Sequence, residues 1–257
     1  MLRDALFFRS AGIRRMTGLP IGRLAEPVFD SERDCWEGEW HRLLRCLDEL
    51  GQIEPEDSAS WDLRLSDEER RAGREAISGL EGMPFIAAAV GSKLQSKDWG
   101  EANWRALLER VTVLLPGYGM ALVGAASEKG RAELVSQGWR GRVVNLCGRT
   151  TPRVLAEVLS RASLFVGHDS GSMHLAARAA TPCVAVYAGV CRPGQWYPYG
   201  NRNRAVFHRT ECMNCGLEVC VSQAKKCILS ISVEEVYAAV AGLVRAEGWE
   251  VASEKGY

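Results

Sequence analysis

The chain has 257 residues, 32 basic and 32 acidic side chains, no formal net charge, and 47% hydrophobic residues. That apolar share excludes a disordered chain, and the length allows roughly 70–75% of the unfolded surface to be buried in one or two domains. Balanced charge argues against a general nucleic-acid binder, and no apolar run approaches the ~18 residues that span a bilayer, so a soluble, cytoplasmic protein is expected.

Residues 1–80 open with a helical pattern over Met1–Met16. Five arginines (Arg3, Arg9, Arg14, Arg15, Arg23) stand against Asp4 alone in the first 24 residues. A basic helix can lie on an anionic membrane surface, and a solvated helix face is the alternative. A second helix is expected around Trp40–Leu50, and Ser66-Asp67-Glu68-Glu69 is a capping box opening a third. No complete βαβ unit is visible here, so residues 1–80 read as a partial region and linker. From Pro84 a regular rhythm begins. Strands are expected at Phe85–Val90, Tyr118–Gly124, Arg142–Leu146, Leu164–Val166 and Cys183–Tyr187. Helices are expected at Glu101–Leu115, Ser127–Gln137, after Thr150 or Thr151 with Pro152 in the first turn, at Gly171–Ala180 and at Ser232–Glu247. Near-continuous apolar strands alternating with helices predict an α/β, doubly wound, Rossmann-like parallel sheet over residues 81–257. Such sheets bind ligands at the carboxyl ends of their strands.

Two stretches fall at those ends. In Leu164-Phe165-Val166-Gly167-His168-Asp169-Ser170-Gly171-Ser172-Met173-His174 a strand meets a polar turn and a helix start. Asp169 is placed to cap that helix, and Ser170 and Gly171 would offer free N–H groups at its positive end, an anion site. His174 lies one turn after Ser170 on the same face. The alternative is that these residues only cap and pack. The second stretch is Gly91-Ser92-Lys93-Leu94-Gln95-Ser96-Lys97-Asp98-Trp99. Two lysines and two serines there fit a phosphate cradle with Lys97 as a point charge, or else an ordinary solvated loop.

Nine cysteines are present, and four crowd together as Cys212-x2-Cys215-x4-Cys220-x6-Cys227. Four soft ligands could hold structural zinc or an iron–sulfur cluster. The alternative is free or reversibly paired thiols. A metal-binding redox protein centred on this cluster is a further reading.

The two loop stretches together resemble the heptosyltransferase family, glycosyltransferase family nine. Its Asp-(Ser/Thr)-Gly-x-x-His pattern is matched by Asp169, Ser170, Gly171 and His174. Its Gly-(Ser/Thr)-x-x-x-x-Lys loop with a following Trp is matched by Gly91, Ser92, Lys97 and Trp99. The resemblance implies a GT-B fold, with residues 81–257 as the nucleotide-sugar donor domain and residues 1–80 as part of the amino-terminal, acceptor-side domain. It further implies transfer of a heptosyl group from an ADP-sugar to a lipid-linked saccharide of the lipopolysaccharide-core type. No cofactor would be required for transfer, and peripheral contact with the inner membrane surface is one of the two readings of the basic opening helix. Donor contacts would fall to Ser92, Lys93, Lys97, Asp169, Ser170, Gly171 and His174, with Glu128 as the family's acid toward the donor ribose. The family's opening strand and Gly-Asp loop, which carry its presumed base, have no counterpart here. Gly12-Ile13-Arg14-Arg15-Met16-Thr17-Gly18 resembles the last part of the amino-terminal domain. The expectation is a chain lacking most of that domain, with a helical remnant, no assigned catalytic base and poor transfer. A non-catalytic nucleotide-binding remnant or assembly module is the alternative.

Overall fold

The computed structural model describes residues 2–13, 16, 26–51, 53–54 and 57–249. The chain divides into two compact units, Met1–Asp62 with Arg192–Tyr197, and Leu63–Cys191 with Pro198–Tyr257. Arg14, Arg15, Thr17, Gly18 and Arg23, and the side chain of Arg3, lie outside the described residues, and with them most of the expected basic face.

The first unit contains helix α1 (Leu2–Ser10), a short antiparallel hairpin of β1 (Phe29–Asp30) and β2 (Cys35–Trp36), and helix α2 (Glu39–Cys46). The hairpin was not anticipated from sequence. Its turn is set by Asp30, whose carboxylate accepts the N–H groups of Glu32 and Arg33, each at 3.0 Å, a local bond that Asx side chains make readily. Residues 192–197 complete the unit. Trp36 N–H donates to Pro193 O and Glu39 N–H to Gln195 O, both at 2.8 Å, and the Arg192 guanidinium stacks 4.6 Å over the Trp36 ring. Among the described residues no helix is long and apolar enough to cross a membrane.

The second unit is built on six strands. In chain order it runs α3 (Asp67–Ala76), β3 (Phe85–Ala89), α4 (Glu101–Leu114), β4 (Gly119–Leu122), α5 (Lys129–Val135), β5 (Val143–Asn145), α6 (Pro152–Ser160), β6 (Leu164–His168), α7 (Gly171–Arg178), β7 (Cys183–Val186), β8 (Asn203–Val206), α8 (Lys226–Leu229) and α9 (Val233–Ala246). All neighbouring strand pairs are parallel, in the order β5-β4-β3-β6-β7-β8. This is the doubly wound, dinucleotide-type order, which reverses direction between β3 and β6. Every residue of β3, β4, β6 and β7 is buried, which explains their unbroken apolar sequence. The edge strand β8 was missed because Asn-Arg-Ala-Val is half polar and half exposed. Thr151 caps α6 by accepting from Val154 N–H at 3.2 Å, with Pro152 in the first turn.

The division falls at Asp62–Leu63 rather than after residue 80 because α3 packs on α6. Glu157 of α6, its side chain 4% exposed, accepts from Arg161 Nε at 2.7 Å and lies 3.6 Å from Arg70 of α3. Arg153 donates to the carbonyls of Leu63 and Arg64 at 3.0 and 2.9 Å. Gly73 sits where the two helices meet, and a Cβ there would come 2.6 Å from Glu157 Cβ. Although alanine is favoured over glycine in a helix by about 1 kcal/mol, Gly73→Ala should destabilise the protein by about 1–3 kcal/mol through overpacking. Urea unfolding checks this, and equal or greater stability would show that α3 moves freely on α6.

Candidate active site

β3 and β6 are neighbours, and the loops leaving their carboxyl ends face each other across the point where strand order reverses. They line a cleft of about 650 Å³, together with the ends of β4 and the start of α6. Seven sequence-predicted residues come together on its wall: Ser92, Lys93, Lys97, Glu128, Asp169, Ser170 and Gly171. His174 does not line it. It stands behind, with Nε2 4.0 Å from Asp169 Oδ1, and burial lowers its pKa first, with Lys97 adding to the shift against the opposing pull of Asp169.

The expectation that Asp169 caps α7 is corrected. The N-cap is Ser170, whose side chain makes no capping bond. Asp169 is still held to the sheet, its N–H donating to Val186 O at 3.3 Å, and its carboxylate accepts from Lys97 Nζ at 2.5 Å. Both partners are largely buried, 17% and 9% exposed, so the ion pair fixes the ammonium at the cleft edge. Lys93, by contrast, is exposed, with no ion pair among the described residues. Ser170 Oγ is buried without a hydrogen-bond partner among the described residues. An unsatisfied hydroxyl at the positive end of a helix, beside a fixed ammonium, is a site built for an anion.

Glu128 occupies the opposite side. Its Oε2 accepts from Ala125 N–H at 2.8 Å, and its carboxylate fills the space that a Cβ at Gly91 or Gly124 would need. Two glycines therefore make room for one acid.

His168, which sequence inspection passed over as a neighbour of the motif, organises the 91–99 loop. Its ring is 1% exposed. Nδ1–H donates to Gly91 O at 2.8 Å, while Nε2 accepts from Trp99 N–H at 3.0 Å and from Trp104 Nε1–H at 3.3 Å. Burial drives its pKa down to about 4. The available signal was a lone histidine ending an apolar strand. Asp98, also unremarked, is held by both Arg131 nitrogens at 3.0 and 2.7 Å and accepts from Gly100 N–H at 2.9 Å.

A metal centre at Cys212, Cys215, Cys220 and Cys227 is one of the two readings of that cluster. Among the described residues no group of three or more His, Cys, Asp or Glu side chains could hold a metal ion. Cys212 lies 3.5 Å from Thr210 Oγ1. Cys220 accepts from Lys225 N–H at 3.3 Å, which leads the causes lowering its thiol pKa. Cys227 is buried, which leads the causes raising its own, and Cys212, Cys215 and Cys220 nearby add to the rise. The segment instead buttresses the cleft loop. Ser96 Oγ and N–H donate to Leu217 O and Glu218 O at 2.6 and 3.0 Å. Cys220 N–H donates to Gln95 Oε1 at 3.0 Å, and Lys225 Nζ to Asp98 O at 2.9 Å.

Residues 39–226 match the family model described as glycosyltransferase family 9 (heptosyltransferase). A curated relative, lipopolysaccharide heptosyltransferase 1 of Pseudomonas aeruginosa, is 30% identical over 228 residues, 87% of this chain and 61% of the relative. A solved glycosyl transferase family 9 structure from Veillonella parvula superposes with a TM-score of 0.66 at 20% identity, covering 82% of this chain and 60% of that one. ADP-heptose lps heptosyltransferase II of E. coli gives 0.61 at 21% identity, covering 86% and 65%. Both structural likenesses concern the fold, which is GT-B as expected. The chain spans less than two thirds of each relative's length.

The buried histidine makes stability depend on pH with a definite sign. Its folded-state pKa of about 4 lies below the ordinary 6.5, so the unfolded chain takes up the proton first. Stability is complete above pH 6.5 and falls as pH drops toward 4, by about 3 kcal/mol from this group. Urea unfolding between pH 7 and 4 should show an acid limb that is shallower in His168→Gln, and identical limbs would sink the assignment.

Proposed function

The chain belongs to glycosyltransferase family 9, and on that premise we propose that the cleft binds the diphosphate of an ADP-sugar whose heptosyl group passes to a lipid-linked saccharide of lipopolysaccharide-core type. The observation that carries this reading is the buried, unpartnered Ser170 hydroxyl at the start of α7, in one cleft with Lys93 and Lys97. Its place at the β3–β6 switch point, where doubly wound sheets bind nucleotides, supports it. So does the likeness to the E. coli ADP-heptose lps heptosyltransferase II.

The chemistry follows from charge. Breaking the anomeric bond leaves positive charge on the sugar and negative charge on the departing diphosphate. Donors already aimed at that diphosphate stabilise it more in the transition state than in the ground state. The N–H groups opening α7, the Ser170 hydroxyl and the Lys97 ammonium supply that field. Because Asp169 holds Lys97 in place, little side-chain freedom is lost when the anion arrives. Lys93, exposed at the cleft mouth, closes on the phosphates from the solvent side. Across the cleft Glu128 accepts from the ribose hydroxyls, and His174, 4.0 Å from Asp169, stands beside that carboxylate. The acceptor, an amphiphile, meets the protein at the cytoplasmic membrane face.

Two measurements test this reading. Lys97→Ala should weaken ADP binding by about 1–3 kcal/mol, the range for a hydrogen bond to a charged group plus an uncovered carboxylate. Lys97→Ala with Asp169→Ala should recover part of that loss, since the anion then meets no bare acid. Calorimetric titration with unchanged affinity in Lys97→Ala would remove the lysine from the site. The second substitution separates ribose from phosphate. Glu128→Ala should cost about 1.5–3 kcal/mol of ADP affinity and leave inorganic diphosphate affinity unaltered. Equal losses for both probes would place Glu128 elsewhere in the recognition.

A further inference from the structure

We propose that His168 is the positioning residue of the donor loop, one neutral ring that clamps both ends of residues 91–99 and so sets where Ser92, Lys93 and Lys97 stand. The inference rests on the donor-site reading above. Its geometry fixes the tautomer without further assumption. Gly91 O can only accept, so Nδ1 carries the proton; Trp99 N–H and Trp104 Nε1–H can only donate, so Nε2 carries the lone pair. A donor and an acceptor on opposite corners of one rigid ring is what a loop with a carbonyl at one end and an N–H at the other requires.

The other ties of the loop act further along. Ser96, Gln95 and Asp98 are bound by Leu217, Glu218, Cys220, Arg131 and Lys225. The segment 91–94, which carries Ser92 and Lys93, is anchored through Gly91 O to His168, and Ser92 Oγ bonds only within the loop, to Leu94 O at 3.0 Å. The next residue along the chain, Asp169, holds Lys97. Adjacent residues at the end of β6 thus hold the loop at its ends and at its lysine. The ring is wedged edge-on against Trp104, with centroids 4.9 Å apart, so it cannot swing to follow a displaced loop.

Two substitutions cut the tethers separately. His168→Asn keeps an N–H at the δ position for Gly91 O and loses the acceptor for Trp99. His168→Gln keeps an acceptor at the ε position and loses the donor to Gly91 O. Both are to be compared with the native protein by ADP calorimetry and by amide hydrogen exchange. Each variant should bind ADP about tenfold more weakly, the effect of about one hydrogen bond's worth of lost fixing. Faster exchange should appear around Trp99 in the Asn variant and at residues 91–94 in the Gln variant. Nitrogen-15 shifts of the native imidazole should report Nδ1–H at neutral pH, a readout that needs no variant to fold. An imidazole protonated at Nε2, or native ADP affinity in either folded variant, would overturn the clamp while leaving the donor site standing. Failure of the native protein to bind ADP would overturn the donor-site reading itself, and this inference with it.

Discussion

The whole cleft depends on how closely β3 and β6 can lie together. Gly167 pairs with Ala89, and a Cβ at 167 would come 2.9 Å from Ala89 O and 3.0 Å from Ala89 Cβ. Only glycine permits that approach in a sheet buried on both faces. Because the chain winds away in opposite directions from these two strands, their carboxyl ends stay open. The 91–99 loop and the start of α7 enter that opening from the two sides. A bulkier residue at 167 would separate the strands, and with them Gly91 from His168 and Lys97 from Asp169.

Around that junction the polar groups are arranged by degree of satisfaction. Below the cleft floor His168 and Trp99 are both paired. His168 uses both ring nitrogens, and Trp99 uses both its N–H groups, one to His168 and one to Ile231 O at 2.8 Å. At the cleft wall the pairing is incomplete, with Ser170 Oγ left over. Buried polar groups are nearly always bonded, so the Ser170 hydroxyl, orphaned beside the bonded His168 and Trp99, is a place a ligand can complete. The Lys97–Asp169 pair sits between these extremes, neutral in sum yet presenting its ammonium to the opening.

Much of this was legible in the sequence, for physical reasons that differ by residue. The buried strands were visible because a sheet covered on both faces needs uninterrupted apolar side chains, and Phe85–Ala89 and Cys183–Val186 supply them. Six residues of the cleft wall (Ser92, Lys93, Lys97, Asp169, Ser170 and Gly171) were visible because their loops leave strand ends where such sheets bind ligands, and Glu128 only through the family resemblance. Two misreadings come from partners distant in sequence. Asp169 had the right place for a cap, but Lys97, 72 residues earlier, took its carboxylate. His168 looked incidental because sequence does not show that its ring faces a carbonyl and two N–H groups from elements more than 60 residues away.

The excursion of residues 192–197 into the first unit has a consequence for how the protein is made. Trp36 and Glu39 direct their N–H groups to carbonyls that emerge from the ribosome more than 150 residues later. At ordinary elongation rates of about 5–20 residues per second, that delay is roughly ten to thirty seconds. During this time the hairpin has no partner for those donors, and Trp36 lacks the guanidinium that covers it. Trp36 and Glu39 therefore reach their final bonding only after residues 193–195 have been translated, and until then the nascent chain exposes an aromatic hairpin.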